Sequence, residues 1–122
     1  MDVFKLVTLD YRSLCVEGKY SLTYNLGTIV ETLPGTVGIM CFNDRYHAAK
    51  FLDRSDKKCF KLLSVTGVEP IDLTLICDSY QERFIKEFYT DPERYEYVRM
   101  PPSGTLLFKK VIVGNIIWNC EG

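Results

Sequence analysis

Apolar residues in this chain gather into short runs divided by glycine, proline and asparagine, a pattern of strands rather than of long helices. Residues 3–9 form the first run. In the polar, tyrosine-rich stretch that follows, Leu22, Tyr24 and Leu26 alternate with Thr23 and Asn25, so a short strand is expected over 22–26 before Gly27 turns the chain. Pro34-Gly35 is a turn pair ahead of residues 37–42, which are too few for an isolated helix and apolar enough for a buried strand. Asn43 is expected to cap a helix over 44–54, whose apolar stripe is Ala48, Phe51 and Leu52 at i, i+3 and i+4.

Two further strands are expected over 60–65 and 71–77, divided by a loop that holds Gly67 and Pro70. Ser79-x-x-Glu82 has the spacing of a capping box and opens a second helix, with Tyr80, Phe84, Ile85 and Phe88 as the stripe that faces the sheet. Asp91-Pro92-Glu93 starts a helical piece of one or two turns that Pro101-Pro102 stops. Residues 105–113 and 116–120 flank Gly114-Asn115, a hairpin signal because both central positions tolerate positive φ. Val111-Ile112-Val113 and Ile116-Ile117-Trp118 put apolar side chains on both strand faces, so these strands are central or buried at an interface. The order is β-β-β-α-β-β-α-β-β. The fold class is α+β, an antiparallel or mixed sheet with two packed helices in a single domain over residues 1–122.

Composition narrows the function. The length of 122 residues suits one core, and 47% hydrophobic with 25% charged residues is far from the signature of disorder. Fifteen Lys and Arg against sixteen Asp and Glu leave a net charge of -1, which argues against general DNA binding or attraction to a membrane surface. An acid at Asp2 stands where a secretory signal carries basic residues, and no apolar run is long enough to span a bilayer, so the cytoplasm is the expected location. Five cysteines, an odd number with no C-x-x-C pair, point to reduced thiols; Cys41 and Cys77 lie in apolar runs, where cysteine behaves as a small hydrophobe.

Self-sufficient chemistry is hard to assemble from these residues. His47 is the single histidine and has no neighbouring Asp, Cys or Ser motif, so no catalytic residue is assigned to it. The thiols are too widely separated for a zinc site, and neither a metal nor a cofactor is expected. Cys77 precedes a helix start that favours a thiolate, but Asp78 opposes that charge and the apolar run around it favours burial. Gly35-Thr36-Val37-Gly38 lacks the lysine of a phosphate loop and precedes a strand. What remains is rings and guanidinium groups in segments expected to be exposed: Tyr11-Arg12, Tyr20, Tyr24 and the run from Arg94 to Arg99. Tyrosine stacks on a base while arginine forks onto a phosphate, so these groups suit a nucleotide-like ligand; they equally suit a protein interface.

The stretch Gly18-Lys19-Tyr20-Ser21-Leu22-Thr23-Tyr24-Asn25-Leu26-Gly27, followed by Gly38-Ile39 and a helix containing Ala48-Ala49, resembles phage proteins of the anti-Thoeris, cyclic ADP-ribose-sequestering sponge type. The resemblance implies an anti-defence protein of the host cytoplasm that binds a cyclic nucleotide between the subunits of a homo-oligomer without transforming it. On that expectation Tyr20 or Tyr95 stacks on a base, while Arg12, Arg94, Arg99 or Lys109 meets phosphate. Two alternatives stand beside it. One is a protein-binding inhibitor of a host defence factor that uses the same tyrosines and arginines. The other is an enzyme like the ADP-ribosyl transferases, suggested by Tyr11-Arg12 after the first strand. The apolar segment with Ile112, Ile116 and Trp118 adds its own argument for an oligomer.

Overall fold

The computed structural model describes all residues except 15, 17, 54–59, 78–80, 92–97, 120–122 and the Asp53 side chain. Along the described chain run β1 (Asp2–Val7), a 3-10 turn (Gly18–Tyr20), β2 (Ile29–Glu31), β3 (Ile39–Phe42) and α1 (Arg45–Asp53). After these come β4 (Lys61–Ile71), β5 (Ile76–Cys77), α2 (Glu82–Thr90), β6 (Val98–Arg99) and β7 (Thr105–Asn119). The protein is α+β, with every strand pair antiparallel and two helices packed on the strands, as its residue pattern indicated.

The main sheet closes on itself. β1 pairs with β4, β4 with β7, β7 with β3, and β3 returns to β1 where Phe42 faces Phe4, while β2 lies beside β7 next to β3. Closure leaves a largely apolar interior filled by Val3, Val7, Tyr24, Ile39, Cys41, Leu63, Val65, Phe108, Val111 and Val113. The pleat of β1 sends Phe4 and Leu6 to the opposite side from Val3 and Val7. There Leu6, Phe42, Phe60 and Leu62 form a second cluster with Ala48, Phe51 and Leu52 of α1, the stripe expected of that helix. The other helix, α2, buries Ile85 and Phe88 and packs against the 3-10 turn and β5.

Four local expectations fail for identifiable reasons. First, β4 is continuous from 61 to 71 rather than broken between 65 and 71, and of the strand expected over 71–77 only Ile76–Cys77 forms separately. Gly67 is there because the Phe108 ring crosses its backbone, and Pro70 lies beyond Thr66, where pairing with β1 ends and a residue without N–H is tolerated. Second, Gly114-Asn115 makes no hairpin, since β7 runs through it. Gly114 lies against the Ser64 carbonyl, Asn115 N–H donates to Ser64 Oγ at 3.1 Å, and the register shifts twice between Leu62 and Val65, so the pair forms a bulge.

Third, residues 22–26 form no strand. Thr23 makes an isolated bridge to Arg12, and the short strand lies later, at Ile29–Glu31. Fourth, Asp44 rather than Asn43 caps α1, because its Oδ1 accepts the His47 N–H at 2.8 Å while Asn43 N–H donates to Gly104 O. At α2 the Ser79 half of the expected capping box and the turn at 92–93 lie outside the described residues. Glu82 instead uses its Oε1 to accept the Lys19 N–H at 3.1 Å, tying α2 to the 3-10 turn.

Candidate functional site

The loop after β1 is built around Thr8. Thr8 N–H donates to Arg12 O at 2.8 Å, Tyr11 N–H returns to Thr8 O at 3.0 Å, and Arg12 N–H reaches Thr8 Oγ1 at 3.0 Å, whose hydroxyl in turn donates to Asp10. This closed turn forces Tyr11 to φ 65°, a left-handed backbone that an aromatic residue seldom adopts. Tyr24 N–H then donates to Tyr11 O at 2.6 Å and Ser13 N–H to Leu22 O at 3.0 Å, so the chain returning through 21–24 straps the turn in place. Strain held by surrounding bonds is a mark of functional loops.

One cation follows this tyrosine in sequence and another meets its ring. The first, Arg12, is exposed and donates from Nη2 to Ser21 O at 3.4 Å. Lys61, at the start of β4, is brought alongside by its pairing with Val7, and its Nζ sits 3.9 Å above the Tyr11 ring centroid. Arg12 also lies near the expected Tyr20 through Ser21. The Tyr20 ring is half-buried, 5.6 Å from that of Tyr89 on α2 and tilted by 38°, with Lys19 Nζ 5.2 Å above it. Burial raises the Tyr89 hydroxyl above the ordinary tyrosine pKa, and that oxygen accepts the Val37 N–H at 3.3 Å.

The other expected ligand residues stand elsewhere. Lys109 is exposed on β7, where its carbonyl accepts the Thr32 N–H at 2.8 Å, and Arg99 is exposed on β6 opposite Ile76. Arg94 and Tyr95 lie outside the described residues. Tyr24, expected in an exposed segment, is 1% exposed in the barrel core, because the strap that fixes Tyr11 turns its side chain inward. Lys61 escaped the sequence reading: within Phe60-Lys61-Leu62 it looks like an ordinary outward strand position, and only the β1–β4 register sets it over Tyr11.

A further cation is buried. Lys5 shares the inward phase of Val3 and Val7, donates from Nζ to Met40 O at 2.7 Å and lies 5.2 Å from the Tyr24 ring centroid. Beside it burial pushes the Cys41 thiol up to about 11, against a smaller downward pull from Lys5. Cys77 is half-buried with Sγ 3.8 Å from Phe84 O, against α2, whereas His47 holds Asp44 Oδ1 through Nδ1 at 2.8 Å and packs on Gly104. The Asp44 carboxyl falls below the usual range, chiefly because it accepts the His47 backbone N–H. Among the described residues no three His, Cys, Asp or Glu side chains gather as a metal cluster, and no helix is long and apolar enough to cross a membrane. No protein-family model, curated protein or solved structure matches the chain.

Proposed function

We propose that this chain is a non-enzymatic binding protein that captures an anionic, base-bearing ligand of the nucleotide class, with Tyr11, Arg12 and Lys61 at the centre of the site and Tyr20 at its edge. The observation that carries the reading is the Tyr11 turn. A strained, strapped tyrosine carries an ammonium on its ring, and the next residue is an exposed arginine, which together supply the stacking surface and phosphate partners that nucleotides need. Ligand phosphate on Lys61 would replace the weaker cation–π contact with charge-assisted hydrogen bonds. Cyclic ADP-ribose-like signals, which the sponge resemblance suggests, belong to this ligand class.

Isothermal titration against cyclic ADP-ribose isomers, cyclic dinucleotides and NAD tests the proposal. Heat is expected for at least one, with the ligand recovered unchanged. Arg12→Ala and Lys61→Ala should each weaken binding about tenfold or more, the scale of one charge-assisted hydrogen bond. Absence of heat throughout removes the reading, and release of nicotinamide from NAD would replace it with the transferase alternative.

A further inference from the structure

We propose that residues 114–119 of β7 form a dimer interface, their open edge pairing antiparallel with the same segment of a second copy of this chain. As far as Val113, β7 has neighbours on both sides. β4 runs along one edge; on the other are β3, then β2, and finally the loop before β2, where Val113 N–H donates to Thr28 O at 2.8 Å and Val113 O accepts the Gly27 N–H at 2.9 Å. Beyond Val113, the described residues supply a partner only on the β4 side.

An unpaired strand edge is a template for another strand, and chains that stay single blunt such edges with charge, proline or shortness. β2 is blunted in this way, being three residues long, with Glu31 at its end and Pro34 beyond. Residues 112–118, Ile-Val-Gly-Asn-Ile-Ile-Trp, carry no charge and no proline. Ile112, Ile116 and Trp118 remain 42%, 37% and 51% exposed, and Ile29, directly opposite Ile112, is 65% exposed.

The choice of a second copy follows from the segment itself. Antiparallel pairing of one strand with its own twin is isologous, so each edge supplies what the other lacks, and an uncharged segment meets no like-charge repulsion at the two-fold axis. Ile112, Ile116, Trp118 and Ile29 are all exposed large apolar residues on or beside this segment. They would form the apolar centre of the interface, with the new backbone ladder beside it. The interface rests on β7 and not on ligand capture, but it ends beside the proposed site, because Lys61 pairs with Asn119.

Sedimentation equilibrium of the full chain, without nucleotide, provides the test. The 14.1 kDa chain is expected to sediment as a dimer at micromolar concentration. Ile116→Lys should weaken association at least tenfold, whereas Leu73→Lys, a comparable change at an exposed site between β4 and β5, should leave it intact. If Ile116→Lys does not fold, amide exchange of the unaltered protein decides, because amides of 114–119 should gain protection as concentration rises. A single-chain mass at the highest soluble concentration, a dimer unmoved by Ile116→Lys, loss of the dimer in Leu73→Lys, or exchange independent of concentration each overturns the proposal.

Discussion

The ring of Phe108 lies across the backbone of Gly67, so close that a Cβ on residue 67 would sit 2.6 Å from Phe108 Cδ1. Phe108 is 1% exposed and held between β3 and β4, with its own backbone opposite Ile39 and Pro70. The ring therefore has nowhere to move. Gly67→Ala should destabilise the fold by about 1–3 kcal/mol, the usual cost of overpacking. Phe108→Leu placed on that background should recover part of the loss, giving a favourable coupling in a double-mutant cycle read by urea unfolding.

That pair also explains what was legible in the sequence. The runs at 3–9, 37–42 and 105–113 were recognisable because closure of the sheet buries one strand face and leaves alternation or continuous apolarity behind. Glycine was ambiguous, because it serves tight turns and close approaches alike: Gly67 and Gly114 resemble turn punctuation but sit inside strands, pressed against Phe108 and Ser64. The candidate site was half legible. Arg12 and Tyr20 stood out by residue type, whereas Lys61 depended on a register set by its pairing with Val7, 54 positions earlier in the chain, which no local pattern encodes. Tyr24 misled because a polar, loop-like neighbourhood hid its role as a core ring.

Alkaline pH should loosen the barrel through Cys41. Burial raises its pKa from 9.0 to about 11, so the thiolate is more costly in the folded chain than in the unfolded one. The contribution to stability is present in full below pH 9.0 and is lost as pH climbs towards 11, by about 3 kcal/mol at most. Urea unfolding from pH 8 to 11 should show this decline, and Cys41→Val should flatten it.

Asp44 predicts a change at the opposite end of the scale. Its carboxyl is held below the usual value, first by the His47 backbone N–H and then by the bond to the His47 ring, so its folded pKa is depressed. Stability from this group is present above the ordinary carboxylate pKa and is lost as pH falls through the lower folded value. Asp44→Ala should lower the melting temperature at neutral pH by removing the α1 cap. It should also make the acid limb shallower, a comparison that thermal melts from pH 2.5 to 7 will resolve.

Tyr11 provides the sharpest separation of stability from binding. At φ 65° every residue with a Cβ pays about 1–2 kcal/mol, whereas glycine adopts the same backbone freely. Tyr11→Ala and Tyr11→Gly delete the same ring and its contact with Lys61, so they should lose nucleotide heat equally. They should nevertheless differ in stability, with the glycine variant about 1 kcal/mol more stable than the alanine variant, the reverse of the order expected in a regular strand or helix. Chemical unfolding of the two proteins in parallel measures that difference directly. An alanine variant as stable as the glycine variant would mean that the bonds from Thr8 and Tyr24 do not hold residue 11 in the left-handed region, and that the ring is presented without strain.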